Sequence, residues 1–356
     1  MKKKLATALT LVAAGAAHAQ TSLTVFGILD VTLQRAQQGG ASMHRLNGVG
    51  GHQFSRIGFR GTEDLGDGLS AGFVLDAGLN MDTGAGALTS TDNLTTTGGG
   101  GLTFNRRATV SLLSKTWGEL RLGRDFVPTY WNHSAFDPFG SAGAGSVNNV
   151  AQGALTRVST VQTAVRASNS LGYVLPGLNG FYGQAMYAFA ENTAATPATR
   201  KDGKYAGIRL GYAQDSVSFA VSHGVTNLNS GDVTTSSAGA SYQFGAVKAM
   251  ALVFRDDKEV VAAPNRSHGW MLGTQINLGL GYIPISYSRV KDNSASGRSA
   301  NQMAAGYVYN LSKRTAVYST YSRLQNRNGA ALTGGGVTGV ANATWTGLDL
   351  GIRHSF

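Results

Sequence analysis

From Ser22 to Phe356 the chain is written almost entirely in short runs that alternate apolar and polar residues, separated by turns rich in Gly, Asn and Asp. A period of two separates the faces of a strand and does not match a helix. In the first run Leu23, Val25, Leu29, Val31 and Leu33 share one face, and Thr24, Asp30, Thr32 and Gln34 the other. Over 53–63, Ile57 and Phe59 oppose Arg56 and Arg60. Over 69–80, Leu69, Phe73, Leu75 and Leu79 alternate with Ser70, Asp76 and Asn80. After a polar Gly/Thr loop, Val110 and Leu112 oppose Arg107, Thr109 and Ser111, and Leu120 and Leu122 carry the chain onward. Further runs lie near 166–175, 179–191, 203–213, 216–227, 234–244, 246–256, 266–278, 280–292, 299–311, 315–326 and 343–356. Their connections alternate short and long, and the total is about 16 strands, the pattern of an outer-membrane barrel.

Nothing beyond the N-terminus approaches the roughly 18 consecutive apolar residues of a membrane helix, so a closed barrel of strands is the one way left to span a bilayer. Several rows are apolar in mid-strand with aromatics near an end, such as Leu171, Tyr173 and Leu175, or Phe181, Ala185, Tyr187 and Phe189. The rows Ala206, Ile208, Leu210 and Tyr212 and Met303, Ala305, Tyr307, Tyr309 and Leu311 read the same way. Such rows suit lipid and its interfaces. The opposite rows hold Gly, Ser, Thr, Gln, Asn and charges, and suit a lumen too wide for side chains to fill.

Met1–Ala19 carries Lys2, Lys3 and Lys4, an apolar run and Ala17-His18-Ala19 before Gln20. This is the layout of a secretory signal peptide cleaved near Ala19-Gln20, leaving 20–356 as the barrel. Removing three lysines and no acid takes the charge from +11 to 30 − 3 − 19 = +8. With no cysteine, an exported chain relies on neither disulfides nor thiolate metals.

One stretch breaks the pattern. Arg124 to Val165 has no lasting period of two, two prolines (Pro128 and Pro138) and an aromatic set of Phe126, Tyr130, Trp131, Phe136 and Phe139. A connection of about forty residues inside a compact domain is functional or disordered, and disordered linkers lack aromatics. The stretch is therefore expected to be a packed loop held inside the barrel.

The chain resembles the general porins of the Gram-negative outer membrane. The resemblance rests on Leu23-Thr24-Val25-Phe26-Gly27-Ile28-Leu29-Asp30, on Ser55-Arg56-Ile57-Gly58-Phe59-Arg60-Gly61-Thr62-Glu63-Asp64-Leu65-Gly66, and on Leu122-Gly123-Arg124-Asp125. Phe136-Asp137-Pro138-Phe139-Gly140 and the terminal strand ending in Phe356 complete it. It implies that the third external loop (126–165) folds into the lumen as a constriction, that three barrels form a homotrimer, and that the Phe356 strand is read by the assembly machinery and closes the sheet. Enteric porins carry Glu where this chain has Asp137, so the same number of loop acids is not assumed.

Parity puts Arg56, Arg60, Arg107, Arg121, Arg209, Arg353 and Lys248 on polar rows, with Arg166 just after the long loop. The inward acids are Asp30, Asp76, Glu119 and Asp349, with Asp125 and Asp137 on or entering the loop. Arginines in a narrow lumen favour anions. The positive side of the constriction is expected at Arg56, Arg107 and Arg166, flanked by Arg60 and Arg121, unless these residues pair structurally with the acids. The loop contributes Asp125, Tyr130, Trp131, Phe136 and Asp137.

Catalysis finds no support: the histidines show no H-E-x-x-H spacing, and neither G-x-S-x-G nor a P-loop occurs. By parity His354 alone clearly reaches the lipid face. Basic residues are dispersed, arguing against nucleic acid and for lipopolysaccharide phosphates at the outer rim. No cofactor or metal is expected. The reading is an outer-membrane diffusion channel for small hydrophilic solutes and inorganic anions, with a substrate-selective channel of the same architecture as the alternative.

Overall fold

The computed structural model describes residues 22–94, 96, 100–151, 154–155, 161–191, 200–259 and 265–356. The expected signal peptide and its cleavage site lie outside the described residues. The strands are β1 (Ser22–Gln38), β2 (Ala41–Asn47), β3 (Arg56–Gly66), β4 (Leu69–Asn80), β5 (Ala85–Gly86) and β6 (Arg107–Ser114). They continue with β7 (Gly118–Phe126), β8 (Arg166–Val174), β9 (Phe181–Ala188), β10 (Tyr205–Gln214), β11 (Val217–Thr226) and β12 (Val233–Phe244). The last six are β13 (Val247–Lys258), β14 (Asn265–Leu278), β15 (Gly281–Asp292), β16 (Ser299–Asn310), β17 (Thr315–Arg327) and β18 (Thr344–Ser355). An α-helix, α1 (Pro128–Ala135), follows β7, with Pro128 in its first turn where a missing N–H costs nothing.

All pairings are antiparallel and the sheet closes where β1 meets β18, from Ile28↔Ser355 to Gln38↔Trp345. Beyond the ladder, Gly27 and Phe356 exchange both backbone hydrogen bonds at 3.1 Å. The Phe356 ring lies across Gly27, where a Cβ would come within 2.3 Å of it. The terminal aromatic thus sits on the closing seam.

The barrel has sixteen staves although eighteen strands are named, because β2 and β3 share a stave and β5 is a two-residue spur on β4. The second strand, expected over 53–63, is longer and broken. Its upper part pairs with Thr32–Gln38 and its lower part with Ser22–Ile28 of β1. Residues 48–55 leave the sheet between them. The Asp30 carboxylate captures this detour, accepting the N–H groups of Gly51 (3.4 Å), His52 (3.1 Å) and Gln53 (2.7 Å) together with the Tyr318 hydroxyl. Carboxylates that accept several backbone N–H groups make strong charge-assisted bonds, so Asp30 serves architecture.

Alternating burial follows the sequence parity along many staves, β11, β16 and β17 among them. Val110 and Leu272 are 63% and 57% exposed, while Asp349, between exposed Leu348 and Leu350, is fully buried. The exposed rows meet lipid and the buried polar rows turn inward. His223 and His268 also stand on outward rows, correcting the expectation that His354 alone does so. The register aligns His223 with lipid-facing Ile208, and His268 follows Trp270 and Leu272.

The segment between β7 and β8 packs against the inward rows. α1 lies on β10, β11 and β12, and Phe136 fits over Gly239, where a Cβ would sit 2.1 Å from its ring. Ala144, Val147, Val150, Ala151 and Leu155 join Leu252, Met271, Val290, Leu324 and Trp345 in one buried apolar cluster. Polar anchors complete the docking. Gln302 donates to the carbonyls of Gly145 (3.1 Å) and Ser146 (2.9 Å), and Asp349 accepts from the Ala144 N–H at 2.9 Å.

Candidate functional site: an arginine-lined passage

Two cavities of about 770 and 570 Å³ meet between the 48–55 detour, the start of β6 and α1. Phe54, Arg106 and Tyr130 line both, and so mark the neck between them. The larger cavity, on the side of the short turns, adds Arg56, Arg60, Arg107 and Lys248 against Asp76, Asp125 and Asp137. The smaller, on the side of the long loops, adds Arg45 and Arg166 and no carboxylate among its described lining residues. Over both, seven cations face three acids, 7 − 3 = +4.

Arg106 was not singled out by sequence reasoning. It precedes the β6 ladder, where alternation does not apply, so it and its neighbour Arg107 both turn inward. Its guanidinium lies over the rings of Phe54 (5.6 Å) and Phe126 (5.4 Å), and it pairs with Asp76 at 3.2 Å. Phe126 also supports Arg166 at 4.3 Å and stacks on Tyr130 at 5.3 Å. One aromatic platform therefore holds two guanidiniums, a favourable arrangement in a desolvated setting. Gly123, with φ +127°, sits beside a register shift that turns Arg124 into the wall. There Arg124 donates to the Asn105 carbonyl at 2.6 Å and the Ser168 hydroxyl at 2.7 Å.

The residues expected from sequence divide into groups. Arg56, Arg60, Arg107, Asp125, Tyr130, Trp131 and Asp137 are brought together around the larger cavity, and Arg166 lines the smaller. Arg107 is tied to Glu119 (3.7 Å) and Asp125 (3.6 Å). Arg121 pairs with the same two acids at 2.6 and 3.1 Å and lines neither cavity. Phe136 is packing, not passage. Asp137 spends its carboxylate on the N–H groups of Phe139 (3.0 Å), Ser141 (2.9 Å) and Val147 (3.0 Å), fixing the loop's own turn. Burial pushes it up to about 6 although these amides pull it down. The two acids on or entering the loop, Asp125 and Asp137, are thus already engaged, and Arg56, Arg60 and Arg166 carry no ion pair among the described residues.

No group of three or more described His, Cys, Asp or Glu residues could hold a metal. On the lipid side His223 Nδ1 meets Ser236 Oγ at 2.9 Å, but the outward residues flanking this pair include no acid to orient the imidazole.

A closed sixteen-stave barrel with an apolar exterior and a cation-lined interior defines a transmembrane pore. The chain matches the Gram-negative porin family over residues 6–329. Outer membrane porin protein 32 of Delftia acidovorans is 34% identical over 370 residues, covering 100% of both chains. The anion-selective porin from Comamonas acidovorans superposes with a TM-score of 0.83 at 32% identity, covering 95% of this chain and 100% of that one. In-vitro folded OmpT of Vibrio cholerae, in its trimer form, gives a TM-score of 0.66 at 14% identity, covering 94% and 99%, which shows the fold alone. The chain belongs to the Gram-negative porin family, channel proteins of the outer membrane rather than enzymes.

Proposed function

We propose that this porin passes small hydrophilic solutes by diffusion and favours anions. The observation that carries this reading is the surplus of four cations along two cavities that meet at Arg106. A narrow, low-dielectric passage focuses such a field on the permeant ion. The relative from Comamonas acidovorans, named anion-selective, supports the same sign. In this reading residues 126–165 lie across the lumen as the constriction loop, supported by their contacts with Asp349, Gln302, Gly239 and Gly273 on inward rows. Arg56, Arg106 and Arg166 form its positive wall, Arg60 and Arg107 extend it, and Tyr130 and Trp131 form the loop side. Three copies assemble as a homotrimer, as the Vibrio cholerae neighbour does. The chain is exported after loss of residues 1–19, performs no catalysis and uses no cofactor.

Liposome swelling separates diffusion from selective binding. Small monocarboxylates should enter reconstituted vesicles faster than neutral solutes of equal size, with rates linear in concentration. Saturation with competitive block would replace this reading with the substrate-selective alternative, and equal rates for cationic and anionic solutes would remove the anion bias.

A further inference from the structure

Trp131 stands apart among the rings of the larger cavity. Of the described aromatic side chains that line it, Trp131 is the one exposed, at 38%, while Phe126, Tyr130 and Phe139 are buried. The docking of α1 fixes this. Thr129, Asn132 and His133 are buried, and Asn132 donates to the Ser237 hydroxyl at 2.9 Å and accepts from Arg209 at 3.2 Å. With that face held against the strands, Trp131 is left on the cavity side. Phe126 and Tyr130 back it, with ring centroids at 5.2 and 6.2 Å.

Other rings here already carry cations. Arg106 lies over Phe54 and Phe126, Arg166 over Phe126, and Arg60 over Phe26. No cation among the described residues lies over Trp131. The acids of the cavity are likewise taken: Asp76 by Arg106, Asp125 by Arg107 and Arg121, and Asp137 by backbone amides. Arg56, Arg60 and Lys248 line the same cavity and enter no ion pair among the described residues. Its volume of about 770 Å³ falls within the roughly 300–1,000 Å³ of small-molecule sites, where an apolar surface and a few placed charges select the ligand. An exposed apolar side chain is ordinary on an outer surface. Inside a cavity, beside uncommitted cations, it supplies the second half of a recognition pair.

We propose that the larger cavity retains planar aromatic anions, aryl carboxylates and sulfonates, during passage. The ring stacks on Trp131 while the anionic group meets Arg56, Arg60 or Lys248. The inference rests on the reading of the two cavities as a route for anions. It adds that anions of equal charge and size are not equivalent, because aliphatic ones cross without a pause and aromatic ones are held.

The test measures block of the chloride current through the purified porin in a planar bilayer by sodium benzenesulfonate, which stays charged and does not cross lipid as a neutral acid. Cyclohexanesulfonate offers the same charge and nearly the same size without an aromatic face, and benzyl alcohol offers the ring without the charge. In wild type the half-blocking concentration of benzenesulfonate should be about three to ten times lower than that of cyclohexanesulfonate, and benzyl alcohol should block less than either. Trp131→Leu should abolish the difference between the two sulfonates, and Trp131→Phe should restore most of it. The comparison is made within each protein, so a change in pore width cancels, and circular dichroism of the sheet certifies each fold. Equal half-blocking concentrations in wild type, or a difference that survives Trp131→Leu, would overturn the proposal. So would block by benzyl alcohol equal to that by benzenesulfonate. A cation preference in the same bilayer would overturn the anion route itself, and the proposal with it.

Discussion

At the scale of single residues, the passage is built by aromatic rings as much as by charge. Arg106 is long and flexible, and its position in the neck depends on Phe54 and Phe126. Each such contact is worth about 0.5–2 kcal/mol. Phe54→Ala should therefore loosen Arg106, raise single-channel conductance and weaken anion preference, whereas Phe54→Tyr should retain both wild-type values. Identical behaviour of the two variants would show that Phe54 does not position Arg106. Sequence pattern could not have revealed this, because Arg106 lies before its strand begins and Phe54 lies in the break between β2 and β3. Arg56 and Arg60 were legible because they sit inside a regular ladder.

The loop's titratable pair gives a further prediction. His133 is fully buried against Phe254, and burial lowers it to about 4, while burial raises Asp137 to about 6. Between pH 4 and 6 the unfolded chain protonates the histidine and the folded chain protonates the aspartate. Each state then binds one proton, so the pair contributes almost no slope to stability. His133→Phe removes the compensating histidine. Its contribution from Asp137 is fully present below about pH 4 and is lost as pH rises through 6, at up to about 1.4 kcal/mol per pH unit. Urea midpoints in detergent across this window check it, and an equally flat profile in variant and wild type would contradict it.

At the scale of elements, strand alternation was readable almost throughout, since lipid outside and water inside impose opposite demands on neighbouring residues. The second stave was only half read. Residues 48–55 interrupt its period, and the acceptor that organises them, Asp30, is on another strand. The loop's docking was equally hidden, for it depends on missing side chains across the barrel. Gly239 leaves space for Phe136, and Gly273 for Pro138. Gly239→Val should displace Phe136 at a cost of about 1–3 kcal/mol, as overpacking does. The loop should become open to limited proteolysis near α1 and the conductance noisier while the barrel still folds. Protease resistance equal to wild type would show that Phe136 does not anchor the loop.

At the scale of the whole molecule, a closed sheet with its termini joined at Gly27 and Phe356 gives a stiff frame, and Phe54, Arg106 and Tyr130 line both cavities within it. The arginines there exceed the acids that could neutralise them, and those acids are mostly engaged by Arg106, Arg107 and Arg121 or by backbone amides. On the proposed function, selectivity would belong to Arg56 and Arg166, which carry no ion pair among the described residues, with Arg106 between them and Arg107 contributing less. The direct measurement is the reversal potential of the purified protein in a planar bilayer under a KCl gradient, for wild type and for Arg56→Ser, Arg106→Ser, Arg107→Ser and Arg166→Ser. Chloride preference in wild type, reduced strongly in the Arg56, Arg106 and Arg166 variants and weakly in Arg107→Ser, is predicted. A cation preference, or a chloride preference that none of the four substitutions changes, would contradict it.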